Sequence, residues 1–147
     1  MRLYLDACCL NRPFDDQSIV RNHLEAEAVL AILAAVARGE HALVASEVLD
    51  RELAANPDAD KRAAAEELRQ AATETLSVDA STARRAEELH GLGLPEIDAF
   101  HVSCAEAAAC DVMLTTDDVL QRRYNRLRRR IRVTIANPLG WVSENLT

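Results

Sequence analysis

Asp6, Glu47, Asp98 and Asp117 are the side chains of this sequence best placed to do chemistry together. Asp6 follows the apolar run at residues 2–5, Glu47 comes two residues after a second run at 43–45, and Asp117 comes just after a third at 112–114. Asp98 lies in the opening turn of a helical stretch that starts after Pro95. Carboxylates held this close repel: at about 5 Å and an effective dielectric near 20, each pair costs roughly 3 kcal/mol. Such a group persists where a cation neutralises it or where some members keep a proton. Oxygen donors without Cys or His select hard cations, Mg²⁺ or Mn²⁺, and Mg²⁺ usually bridges to substrate phosphates. The chemistry on offer is activation of a water against a phosphodiester, with one or two metal ions.

Each acid also has an ordinary use. Glu47 and Asp98 suit the positive end of a helix dipole, and Asp117 or Asp118 suits a helix cap. Asp6, directly after a buried run, is the hardest to assign to the surface. The joint placement carries the argument. It requires that the strands before Asp6 and Asp117 be neighbours, and that the Asp98 helix start over the same edge.

The elements that would position these acids alternate along the chain. Apolar runs predict strands at 2–5, 43–45, 76–78, 112–114 and 131–135. Helical spacing predicts helices at 19–38, 47–53, about 58–74, from Asp79 or Ser81 to Gly91, 96–109, and from Thr116 or Asp117 to about 127. Residues 9–18, with Pro13 and Asp15–Asp16, read as a turn, and Asn137–Pro138 opens a short terminal helix with Trp141. Gly39 stops the longest helix, and Ser46 can cap the helix of Glu47. This order predicts an α/β fold: a mostly parallel sheet with helices on both faces, binding its ligand outside the carboxyl ends of the strands.

Composition narrows the function classes. With 147 residues, 49% hydrophobic and 28% charged, the chain reads as one globular domain spanning 1–147. Aromatics are only 3%, too few for a base-stacking platform. No run of eighteen apolar residues predicts a membrane span, and Asp6 interrupts any signal-peptide core, so a cytoplasmic protein is expected. Cys8, Cys9, Cys104 and Cys110 follow no metal spacing and are expected reduced and buried. There is no G-x-x-x-x-G-K-[ST] loop and no G-x-G-x-x-G.

Three segments, LYLDACCLNRPFDDQ, SEVLDRE and IDAFHVSCAEAAACDVMLTTDD, resemble the PIN-domain family in order and spacing over nearly the whole chain. The resemblance implies a five-stranded parallel sheet of order 3-2-1-4-5 and a Mg²⁺- or Mn²⁺-dependent ribonuclease acting on RNA. Many such proteins are VapC-type toxins held by a small antitoxin, and many are homodimers. By motif, the family's first acid falls on Asp6, that of its S-E-x-x-x-x-E segment on Glu47, that of its D-A helix on Asp98, and that of its T-x-D turn on Asp117. Thr115 matches the supporting hydroxyl, and Asp118 is a spare acid beside it. One departure stands out: the family usually has Thr-Asn or Thr-Ser after its first acid, where this chain has Ala7-Cys8. A weakly hydrogen-bonding thiol replaces a polar group there.

Other features admit two readings. The net charge of −7 divides into −13 over residues 1–121 and +6 over 122–147, where seven arginines lie between Arg122 and Arg132. That run is either a solvated helix face or a contact for RNA phosphates. Arg12, near Asp6, is a weaker phosphate candidate. His101, three residues after Asp98, reads as a packed or surface histidine. Two other functions compete. A receiver-type signalling domain needs a second acid beside the first and a lysine near the last strand, but the only lysine is Lys61. A non-catalytic RNA-binding or protein-interaction module of the same fold is the stronger alternative, and four retained acids argue against it.

Overall fold

β1 (Arg2–Leu5) is the central strand of the computed structural model, which describes residues 1–146. Its Leu3, Tyr4 and Leu5 are wholly buried, as a strand covered on both faces must be. β2 (Ala42–Ser46) pairs with it on one side and β4 (Val112–Leu114) on the other. β3 (Glu74–Leu76) and β5 (Thr134–Ala136) form the edges. The five strands run in the order 3-2-1-4-5 and every pairing is parallel, as the family resemblance implies. Strand order reverses at β1, so the carboxyl ends of β1 and β4 bound the crevice where such sheets take ligands.

Eight α-helices among the described residues cover the sheet: α1 (Ala7–Asn11), α2 (Val20–Ala37), α3 (Glu47–Ala54), α4 (Ala59–Arg69), α5 (Ala80–Gly91), α6 (Glu96–Ala107), α7 (Asp118–Leu127) and α8 (Pro138–Asn145). Short polar side chains begin most of them. Asp6 caps α1, Ser46 α3, Asp58 α4, Asp79 α5, Asp117 α7 and Asn137 α8, each accepting from a first-turn amide. Gly39, at φ +78°, lies just past the end of α2 in a conformation that favours glycine.

The structure departs from the sequence expectation at four places. The chain does not simply turn after Cys9: α1 starts straight after Asp6, and a 3₁₀ turn over Arg12–Phe14 comes next, with Pro13 in its first turn. α4 ends at Arg69 rather than near 74. β3 pairs at Glu74–Leu76 rather than 76–78; as an edge strand it exposes Glu74 and Thr75, so its apolar content does not mark it. β5 begins at Thr134, opposite Val112, because a 3₁₀ turn over Arg128–Arg130 precedes it. Ile131 and Val133 are buried without joining the ladder. The four cysteines are free thiols; Cys9, Cys104 and Cys110 are buried, and Cys8 is only half-buried.

One buried charge ties three elements together. Glu25, in the middle of α2, is 1% exposed. Arg12 Nε stands 3.2 Å from its Oε1, an ion pair without hydrogen-bond alignment, and Arg21 Nη2 stands 3.3 Å from Oε2. Asn137, the cap of α8, donates its side-chain amide to the same carboxylate. Breaking one partner out of a buried pair costs about 3–5 kcal/mol. Arg21 is half-exposed and regains water, which puts Glu25→Ala at the lower end. Calorimetry of Glu25→Ala should show a loss of about 3 kcal/mol and a midpoint lower by about 6–12 °C. A loss under about 1 kcal/mol would mean that the pairing only offsets its own desolvation.

Candidate metal centre

Asp6 leaves β1 where the sheet meets α1, and its backbone N–H donates to Leu114 O of β4 at 3.0 Å. Its side chain is 9% exposed and held from several directions. Oδ1 accepts from Ala7 N at 2.7 Å. Oδ2 accepts from Thr115 Oγ1 at 3.1 Å and lies 3.5 Å from Cys8 Sγ. The thiol that replaces the family's polar residue therefore still touches the first acid. Cys8 Sγ also accepts from Thr116 N at 3.3 Å, joining α1 to the turn after β4. Thr115 has two duties, since its hydroxyl also accepts from Asp117 N at 3.1 Å.

Two residues from helices complete the buried side. His101, fully buried on α6, sets Nε2 2.8 Å from Glu52 Oε1 and 3.7 Å from Asp6 Oδ1. Its Nδ1 lies 2.6 Å from the Tyr4 hydroxyl, which lies 2.6 Å from Ser46 Oγ. One ligand atom from each of Asp6, Glu52 and His101 lies within 4.8 Å of the others, a group that could hold a metal ion. Burial alone would lower the His101 pKa. The hydrogen bond to Glu52 and the charges of Asp6, Glu52 and Asp98 outweigh it, so the net shift is upward. In the imidazolium form both ring nitrogens donate, one to Glu52 and one to Tyr4.

Asp98 and Asp117 join this group electrostatically. The Asp98 carboxyl is pushed up to about 6, first by burial and then by the negative charges of Asp6 and Asp117; His101 opposes this and Glu52 adds to it. Asp6 is also raised, by burial foremost, although His101, Thr115 and the Ala7 N–H pull it down. Burial leads both shifts, and neighbouring carboxylates add to each. Asp117 Oδ1 accepts from Val119 N at 2.9 Å and Leu120 N at 3.2 Å, which fixes the carboxylate at the start of α7.

Glu47 is not brought into the group. Its Oε1 accepts from Val78 N at 2.8 Å, and it lines a separate cleft of about 390 Å³ with Val48, Arg51, Val78, Ile97 and Phe100. Five residues turn a helix by about 140°, so Glu47 and Glu52 face different ways on α3. The segment SEVLDRE holds both glutamates, and its second one was the available signal. Asp118 is also occupied elsewhere: Arg21 Nη2 donates to its Oδ1 at 2.8 Å and to Thr116 O at 3.2 Å. That hydrogen bond, with the nearby charges of Arg122 and Arg12, holds the Asp118 carboxyl below its usual range. Arg12, committed to Asp15, Asn22 and Glu25, is not a free phosphate contact. His101 was the residue the sequence disguised. Its only clue was the i, i+3 spacing from Asp98, which puts both on one helix face.

The donor set of Asp6, Glu52, Asp98 and Asp117 fits a hard divalent cation in type and in charge. The family model for the PIN domain matches residues 3–126. No curated protein matches the chain. Among solved structures, it is similar to a chain of VapBC2 from Rickettsia felis bound to a DNA fragment from the promoter, at 14% identity and a TM-score of 0.64, over 93% of this chain and 98% of that one. It is similar to FitAcB from Neisseria gonorrhoeae at 17% identity and 0.59, over 92% and 97%. VapBC-1 from nontypeable Haemophilus influenzae gives 12% identity and 0.60, over 94% and 98%.

The Asp98 shift has a signed consequence. Between the ordinary carboxylate value of 3.8 and about 6, the folded chain keeps a proton that the unfolded chain has lost. Stability therefore falls as pH rises through that window, and the full penalty stands at neutral pH. Asp98→Asn removes it. In EDTA at about pH 7.5, the variant should gain about 1–2 kcal/mol after allowance for solvent screening, raising the midpoint by about 3–6 °C. The gain should shrink towards about pH 4. Scanning fluorimetry across pH checks it; a pH-independent gain would assign the effect to packing.

Proposed function

The chain belongs to the PIN-domain family, and from that premise we propose that it is a Mg²⁺- or Mn²⁺-dependent endoribonuclease hydrolysing RNA phosphodiester bonds, with the VapC-type toxins as its model. The observation that carries this reading is the buried group of Asp6, Glu52 and His101 beside the end of β1, with Asp98 close enough to feel the charges of Asp6, Glu52 and Asp117. Asp6, Asp98 and Asp117 hold the cation, and Glu52 holds it or orients a water. Glu47 keeps the β3–α5 connection in place through Val78.

A divalent cation bound there supplies a water of lowered pKa and offsets the charge of the phosphodiester. The protein's own part is to fix the donors. Thr115 holds the Asp6 carboxylate and the Asp117 backbone at once, so both acids move as one. His101, backed by Tyr4 and Ser46, keeps Glu52 turned towards Asp6. Arg21 keeps Asp118 out of the donor set, limiting the negative charge in the crevice. The partners in this reading are an RNA substrate, a small antitoxin and a second copy of the chain, and the setting is the cytoplasm.

Cleavage of a mixed-sequence single-stranded RNA, with Mg²⁺, Mn²⁺ or EDTA, tests the proposal. Cleavage should need metal and should vanish in Asp98→Asn. Glu52→Gln should lower the rate by at least about 10–100-fold and Thr115→Val should weaken metal binding by a similar factor. Glu47→Gln, which still accepts from Val78, should leave the rate unchanged. Equal cleavage by the parent and Asp98→Asn would point to a contaminant. A rate lost in Glu47→Gln but kept in Glu52→Gln would reverse the assignment of the two glutamates.

A further inference from the structure

α7 starts at the acid-lined crevice, because its cap is Asp117, and its 10 residues carry it about 15 Å away. Leu120 and Tyr124 bury one side of it. Arg122 and Arg126 lie one turn apart on the opposite side, both exposed, in line with Asp118 and its partner Arg21. Exposed Arg129, in the 3₁₀ turn after α7, extends the row. Arg128 stacks over the Tyr124 ring at 5.3 Å, which stiffens the end of the row.

These cations differ from most others in the chain in being unpaired and clustered, whereas unpaired Lys61 and Arg84 stand singly on other helices. Arg2, Arg12, Arg21 and Arg38 all sit in ion pairs. Among the described residues, no carboxylate pairs with Arg122, Arg123, Arg126, Arg128, Arg129 or Arg130, although the sequence has 24 acids against 17 bases. A row of unpaired guanidiniums in an acidic protein is repulsive for the same reason as the carboxylate group beside it, and a bound polyanion relieves it. The row also supplies the attraction that the crevice lacks. RNA approaching a net charge of −7 and a group of carboxylates is repelled from most directions, and at a Debye length of about 8–10 Å only nearby cations offset that.

The geometry points to the exposed arginine face of α7 and the turn after it, with Arg122, Arg126 and Arg129 foremost, as the track that carries the sugar–phosphate backbone of the substrate RNA away from the cleavage site. The inference rests on the ribonuclease reading and adds where the strand lies. Guanidiniums on phosphates give register and affinity without reading bases. Base stacking contributes little to affinity here, given an aromatic content of 3%.

The test is fluorescence anisotropy of a labelled mixed-sequence single-stranded RNA on Asp98→Asn protein, titrated from about 50 to 200 mM salt. Each phosphate contact on a single strand contributes about 0.7 to the slope of log affinity against log salt. Adding Arg122→Gln, Arg126→Gln and Arg129→Gln should therefore lower the slope by about 2. The double control Lys61→Gln and Arg84→Gln, two exposed cations without ion pairs on other helices, should leave it unchanged. Circular dichroism melting establishes that the triple variant is folded. RNA affinity and slope retained in a folded triple variant, with the wild-type chain still cleaving RNA, would overturn the track and leave the function standing. No RNA binding by the Asp98→Asn protein and no cleavage by the wild-type chain would overturn both. Loss of polyglutamate binding in the triple variant, with RNA binding unchanged, would overturn it in favour of an acidic protein partner.

Discussion

Repulsion among carboxylates at the carboxyl ends of β1 and β4 is the constraint around which the rest of the structure is arranged. Parallel pairing on both sides of β1 brings Asp6 beside the turn after β4. Nothing in the strands themselves tolerates several negative charges at that point. Tolerance comes from the first amide of α1, the Thr115 hydroxyl and the His101 imidazole, each supplied by a different element. The crevice is therefore built from donors as much as from acids, and its donors reach back into the core through Tyr4 and Ser46.

Charge is sorted on a larger scale by the same logic. Asp118 is adjacent to Asp117 in sequence, yet Arg21 draws it into a pair outside the group. Glu25, buried a turn further along α2, is matched by Arg12 and Arg21 and by the Asn137 cap. The arginines near the crevice that serve internal acids come from the first part of the chain. Those left unmatched are on α7 and the turn after it. A net charge of −7 thus conceals an acidic pocket, a set of neutralised pairs and a basic flank.

The sheet was legible because buried parallel strands are short apolar runs, and the residues just beyond their carboxyl ends share one edge of the sheet. Asp6 and Asp117 come after such runs, and Asp98 sits in a first turn marked by Pro95. Legibility failed where burial did not track strand membership. β3 is half-exposed at an edge, and Ile131 and Val133 are buried in a loop, so both edge strands lie offset from the apolar runs that announce them. Glu47 and Glu52 are indistinguishable by type, and only the rotation between them on α3 separates their surroundings. His101 takes its partners from β1 and α3, 97 and 49 residues away in sequence, and no local pattern announces such contacts.

Asp6 and Asp117 are both acids of the crevice and helix caps. An asparagine caps a helix about as well as an aspartate does, yet it brings no negative charge. Two contributions are thus separable within one side chain: the oxygen that accepts from the backbone, and the charge, which adds only about 0.3–1 kcal/mol to the helix end. In the proposed ribonuclease, a single exchange at either position would remove that charge while the outline of the domain is kept. A chain that binds without cutting would then lie one exchange away from one that cuts.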